Sequence, residues 1–408
     1  MRKKIMQTVS ITLAITLMIN FNPVFAKSLE PTIKKDKEIT FLSKKSPNTA
    51  DEYARNVIVD LLTNVVKNPN FYGVNNDIRL DNYTLGDSYT IFNVQHDGII
   101  DDSEKYNYPV IVNNDIVLIL SVMKDNNNKW SASIAKNEAE YLDELAETSN
   151  DSVILYSYDG VLYAETKDEQ EAIMSISSQY TSQGDYHNSF INISYDEKKA
   201  TFINDNSDIE EVDPYTDLII DDSNRLKVEN IYGYTPGFLI DTSYAKQLAF
   251  SSYAVTQNGY NLCWSACAAT AINYRAGYIK YTAEDLATYL NIGYMSGGTL
   301  DNTKTALNTY GSQTYSKSTS TIPFSTIVSN IGTSKKPIVV GALTSNLSMG
   351  HMVLIVGYST SNNTVQFYNP GTGLGGSSTT YLVIPSVSLV SFDFSYSGYT
   401  FTWKETVY

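Results

Sequence analysis

Along the chain, the spacing of apolar positions changes several times. Asp51–Asn68, DEYARNVIVDLLTNVVKN, sets Val57, Leu61, Leu62, Val65 and Val66 on one side at helical spacing, which predicts an amphipathic helix. The runs YTIFNV, YPVIV, DIVLILSVM, WSASIA, VILYSY and GVLYAE follow, rich in β-branched and aromatic residues and parted by Asn/Asp turns such as DNNNK. They predict an antiparallel sheet. The pattern then dissolves into charge, NDNSDIEEVDPYTDLIIDDSNRLKVEN, which predicts an exposed connector. From about Gln247 the texture shifts to few charges and many Ser, Thr, Tyr and Gly. LCWSACAATAINYRAG predicts an alanine-rich helix that starts near Cys263 and stops at Gly277. Thr282 precedes AEDLATYL with Asp285 three residues on, as in a capping box, and LDNTKTALNTYG predicts a third helix. KPIVVGAL, HMVLIVGY, TVQFYN, TYLVI and YTFTW then read as strands. Helices followed by an antiparallel sheet is an α+β order.

The N-terminus bears on compartment. Arg2, Lys3 and Lys4 precede the apolar run ITLAITLMI, and the small-residue site VFA ends at Ala26, the layout of a secretory signal peptide. That run is shorter than the roughly 20 residues a bilayer span needs. The expected organisation is a signal peptide at 1–26, a flexible leader at 27–50, an acidic domain at 51–202, a linker at 203–243 and a second domain at 244–408. Charge separates the parts. The formal net charge is −15, yet residues 27–243 hold 18 Lys/Arg against 39 Asp/Glu, whereas residues 244–408 hold eight against five. Acidic and mildly basic segments in one chain attract each other. Neither the sign of the net charge nor the scattered basic residues suits a nucleic-acid surface.

Both cysteines of the chain lie in TQNGYNLCWSAC, at 263 and 267. Four apart on a helix, they are poorly placed for a disulfide. An exported free thiol is a catalytic group, a metal ligand or a buried hydrophobe. Two cysteines and one nearby histidine are too few for zinc, so no metal or other cofactor is expected. At a helix N-terminus the Cys263 thiolate is favoured by unpaired N–H groups and the helix dipole, while Cys267, one turn deeper, reads as packing. An attacking thiol also wants a base. Of His96, His187 and His351, only His351 shares the second domain. It opens an apolar strand after Gly350, a glycine that lets substrate come close. Asn369, 18 residues on, could orient its imidazole. Gln257, six residues before Cys263, could donate to an oxyanion together with the Cys263 N–H. Trp264 is expected to pack under the helix start and line the cleft, and GTGLGGSST to form its rim.

Gln257, then Cys263-Trp264 on a helix, then His351 before an apolar strand, then Asn369: this series resembles the papain-like cysteine peptidases over about 160 residues. The layout is most similar to the small secreted bacterial members, the staphopain-like and C39-type peptidases. The resemblance implies a papain-like C-terminal domain, with a helical half and an antiparallel sheet half, preceded by an α+β, sheet-rich prosegment. It implies a monomeric, extracellular endopeptidase made as an inactive proenzyme, with the prosegment as intramolecular inhibitor, protein or peptide substrates and no stable membrane anchor. In that family the four positions are the oxyanion glutamine, the nucleophile, the base and the orienting asparagine. The chain departs from it in having Asn-Pro-Gly where Asn-Ser-Trp is common, so no tryptophan follows Asn369 to shield its bond to His351. Two rival readings stand beside it. One is a cell-wall amidase or endopeptidase of Cys-His type; the other is a secreted binding protein in which the acidic region binds and the cleft is vestigial.

Overall fold

The computed structural model describes residues 39–175, 190–218 and 245–408, with breaks at 68, 76–78, 96–99, 102–103, 125–127, 137, 150, 206–207, 345–348, 361–362, 372–377 and 384–391. The expected signal peptide, most of the linker, His96, His187 and most of the glycine-rich rim lie outside the described residues. Residues 37–408 group as one compact unit. Among the described residues no helix is long and apolar enough to cross a membrane.

The N-terminal part starts with β1 (Thr40–Lys44) and helix α1 (Asn48–Lys67), then β2 (Tyr83–Leu85), β3 (Phe92–Val94), β4 (Ile100–Asp101), β5 (Lys105–Val112), β6 (Asp115–Lys124) and β7 (Trp130–Ala135). Helix α2 (Ala139–Thr148), β8 (Ser152–Tyr158), β9 (Val161–Glu165), β10 (Gln170–Ser175), helix α3 (Tyr195–Asp205) and β11 (Ile209–Val212) complete it. The C-terminal part comprises β12 (Ala245–Gln247), helices α4 (Cys263–Ala276), α5 (Ala283–Tyr289) and α6 (Leu300–Tyr310), and β13 (Lys317–Ser318). It ends in β14 (Ile338–Thr344), β15 (Gly350–Ser359), β16 (Thr364–Asn369), β17 (Ser378–Val383), β18 (Asp393–Tyr396) and β19 (Tyr399–Val407).

The amphipathic reading of α1 places its stripe on the core: Val57, Leu61, Leu62 and Val65 are buried, against the sheet of β5, β6 and β7. Two stretches differ from expectation. Thr40–Lys44 lies in the segment read as a flexible leader, yet it is a strand between β8 and β11, with Phe41 opposite Val153 on one side and Val212 on the other. Ile209–Val212 lies in the charge-dense segment read as a connector. Its acidic residues are solvated and paired, Glu211 with Lys199 at 2.7 Å and Glu210 with Lys45 at 3.8 Å, while Val212 turns inward. A four-residue strand offers too few alternations to show against so much charge.

The N- and C-terminal parts share one sheet. Strands run β13-β19-β14-β15-β16-β17-β7-β6-β5-β2, and the seam is the antiparallel pair β17–β7, Tyr381 opposite Ile134 and Leu382 opposite Ser133. A free strand edge exposes unpaired N–H and C=O groups, and here each half closes the other's edge. One buried apolar cluster runs through both halves, from Ile39, Phe41 and Tyr89 to Phe392, Phe394, Tyr396, Phe401 and Trp403. The fold is α+β, with helices α4–α6 packed on one side of the C-terminal strands.

Candidate active site

Helix α4 begins at Cys263 itself, after Leu262, and ends at Gly277, whose φ of +77° makes the left-handed cap. The small residues Ala266, Cys267, Ala268, Ala269 and Ala271 are buried, which lets the helix sit deep between its neighbours and carry the thiol into the fold. Cys267 donates its S–H to the Met352 carbonyl at 3.4 Å, the packing role expected of it. Both cysteines are free thiols.

The segment ahead of the helix is pinned from two sides. Val255 N–H donates to Thr270 Oγ1 of α4 at 2.9 Å, and its carbonyl accepts from Tyr368 Oη of β16 at 3.1 Å. Gln257 N–H donates to the Pro370 carbonyl at 2.9 Å. Gln257 is therefore tied to the residue directly after Asn369, although 112 positions separate them in the chain.

His351 stands on β15 opposite Ala342 of β14 and is 2% exposed. Leu354 pairs with Tyr368, and one more step of that register sets Asn369 opposite Val353, on the same face as His351. The His351 Nε2 and Asn369 Oδ1 atoms are 2.7 Å apart, and the Gly371 N–H donates to the same Oδ1 at 2.9 Å. Only an oxygen can accept both bonds, so Nε2 carries the proton and Nδ1 keeps its lone pair. Gln257, Cys263, Gly350 and His351 line one cleft of about 660 Å³, walled also by Gly297, Gly298 and Met349. Among the described residues its lining comes entirely from 257–405.

Trp264 does not line this cleft. It is fully buried with its indole against Gly298, where an added Cβ would lie 2.5 Å from the ring. One residue along a helix is a turn of about 100°, which carries Trp264 away from the face that presents Cys263.

Electrostatics set the resting state of the pair. Cys263 keeps part of its surface open to the cleft, but its sulfur is surrounded by protein. The loss of water pushes the thiol up to about 11, against the opposing pull of backbone N–H groups of Met352, Trp264 and Cys263. Burial also pushes the His351 imidazole down to about 4, offset only in part by Asn369. Both shifts favour the neutral thiol and the neutral imidazole near pH 7.

One constellation was not legible beforehand. Tyr396 stacks on the His351 ring at 4.8 Å and 24°, with Phe401 at 5.7 Å and Phe394 at 6.3 Å. These rings come from β18 and β19, and Tyr396 covers the imidazole where no tryptophan follows Asn369. The signal was present in DFSYSGYTFTW: alternating aromatics about Ser397-Gly398, a two-residue turn with φ of +51° and +78°. Among the described residues a single carboxylate trio, Asp115, Asp143 and Glu147, comes close together, and Asp143 there accepts the Ile116 N–H at 2.7 Å.

The family model described as the Peptidase_C39 like family matches residues 239–384. Among solved structures, Xylellain, a cysteine protease from Xylella fastidiosa, aligns at 14% identity over 36% of this chain and 90% of its own, with a TM-score of 0.24. No curated protein sequence matches.

Proposed function

We propose that the chain, whose residues 239–384 match the model of the Peptidase_C39 like family, is a secreted papain-like cysteine endopeptidase, made as an inactive proenzyme, that cleaves protein substrates through an acyl-thioester on Cys263. The observation that carries this reading is the fixed imidazole. Asn369 Oδ1, itself held by the Gly371 N–H, engages Nε2 and leaves Nδ1 as the basic nitrogen in a cleft shared with Cys263 and Gln257. In the proposed reaction Nδ1 takes the Sγ proton and the sulfur attacks the scissile carbonyl carbon. The oxyanion accepts hydrogen bonds from the Gln257 side-chain amide and the Cys263 backbone N–H. Collapse of the intermediate breaks the C–N bond, and Nδ1–H hands its proton to the leaving amine. Water, deprotonated by the same nitrogen, then hydrolyses the thioester and restores the thiol.

The N-terminal part seated on the peptidase domain through a shared sheet supports the proenzyme reading. Maturation falls in the segment between the two parts. The basic, apolar, small-residue N-terminus supports export.

The test is hydrolysis of casein by the secreted protein beside its Cys263→Ala variant, with E-64 as a thiol-directed label. Loss of hydrolysis and of labelling in the variant is the expected result. An alanine variant that still cleaves casein would sink the proposal. Clearing of peptidoglycan but not gelatin in a zymogram would favour a cell-wall substrate instead.

A further inference from the structure

The N-terminal part contributes no described residue to the lining of the cleft, yet besides the β17–β7 seam it grips the peptidase domain at a second place. That place is the tip of the β18–β19 hairpin, whose rings surround His351. Ser157 Oγ donates to the Ser397 carbonyl at 2.8 Å. Ser397 Oγ donates toward the carbonyls of Gly160 at 3.2 Å and Met174 at 3.3 Å. The Gly160 N–H donates to Tyr399 Oη at 2.9 Å. Lys105, 3% exposed, donates from Nζ to the Gly398 carbonyl at 3.1 Å. A lysine is seldom buried so completely, and here its ammonium serves the backbone of the other half of the chain. Gly398 is also confined: a Cβ there would lie 3.0 Å from Ile91 Cγ2 and collide with Ser157 Oγ.

Immediately before this tip is Tyr396, stacked on His351. We propose that Tyr396 is a positioning residue for His351 and that the N-terminal part, by gripping Ser397–Tyr399, holds its ring over the imidazole and keeps water from it. The inference rests on the peptidase reading and deepens it, since it gives the prosegment a hold on the base without entry into the cleft. The groups facing His351 fit a site controlled by solvent rather than by a fixed charge. Asn369 and the three rings are neutral, and Cys263 of α4 is a thiol. The charged cleft residues Asp301 and Lys317 pair with each other at 2.8 Å, Glu405 of β19 lies 3.4 Å from Lys317, and Lys404 completes the set.

The experiment follows the three histidines of the full-length Cys263→Ala chain by NMR with labelled imidazoles. The His351 resonance is assigned by its loss in His351→Gln. With the grip intact it titrates near 4. In Tyr396→Ala water reaches the ring, and the midpoint climbs by about one pH unit or more toward the ordinary value of about 6.5. Ser157→Ala and Lys105→Met, which leave Tyr396 in the chain, shift it the same way, and Tyr396→Trp keeps it low. Should Tyr396→Ala fail to fold, the two grip variants carry the test by themselves. A midpoint unmoved in every folded variant overturns the proposal. A shift in Tyr396→Ala with none in the grip variants overturns the role of the N-terminal part. Because the readout needs no turnover, absence of E-64 labelling in the wild type would refute the peptidase reading and leave this result interpretable.

Discussion

Alkylation of Cys263 as a function of pH probes the resting state of the site most directly. The background is Cys267→Ala in the full-length chain, which leaves one thiol and removes only the S–H that meets the Met352 carbonyl. Iodoacetamide reacts with the thiolate, so its rate tracks the deprotonated fraction. Burial raises Cys263 from an ordinary 9.0 to about 11, so its thiolate is about a hundredfold scarcer than that of an exposed cysteine at pH 7. His351, held down to about 4, is neutral across pH 6–10 and lends the sulfur no positive charge. The pseudo-first-order rate, read by mass spectrometry, is therefore expected to be about a hundredfold below that of a free thiol at pH 7. It should rise about tenfold per pH unit through pH 9 to 10 without levelling. A rate that is flat between pH 6 and 9 would mean a preformed thiolate–imidazolium pair, and would refute the account of a dry, neutral site.

Other outcomes follow from single contacts. Asn369→Ala frees the His351 ring and orphans the Gly371 N–H, so kcat of the peptidase should fall by about 10²-fold with KM little changed, as measured on a fluorogenic peptide. Gln257→Ala removes the proposed oxyanion donor and should lower kcat by about 10²- to 10³-fold, whereas an unchanged kcat would remove Gln257 from the proposed mechanism. In the N-terminal part Lys198 Nζ meets Glu165 Oε2 at 2.7 Å with both side chains buried; Lys198→Ala removes the counter-charge and leaves the carboxylate to Tyr156 Oη and Gln170 Nε2, and urea unfolding should show a loss of about 3 kcal/mol. The His351 contribution to pH-dependent stability has a definite sign. Its folded value lies below the unfolded value of about 6.5, so its share is complete above that pH and is lost as pH falls toward about 4. The drop in urea midpoint between pH 7.5 and 4.5 should accordingly be smaller in His351→Gln than in the wild type.

What the sequence determined was local in range or rested on scarcity. The Thr282–Asp285 capping box, the start of α4 at Cys263 and its stop at Gly277 depend on backbone groups within a turn or two, and they appear at the residues that signal them. His351 and Gln257 stood out because a chain with two cysteines and three histidines offers few candidates for such chemistry. The rest depended on which segments meet. Trp264 is core and not cleft wall because Gly298 arrives against its indole. Thr40–Lys44 becomes a strand only when β8 and β11 supply its partners. The same holds for the union of the two halves, since a ladder of backbone hydrogen bonds carries no side-chain signature from which the β17–β7 seam could be read. Tyr396 reaches His351 across 45 residues of sequence, through a hairpin gripped by residues from 105 to 174. Sequence names the thiol and the imidazole, but their charge depends on how much water reaches them, and only the packing of distant segments decides that.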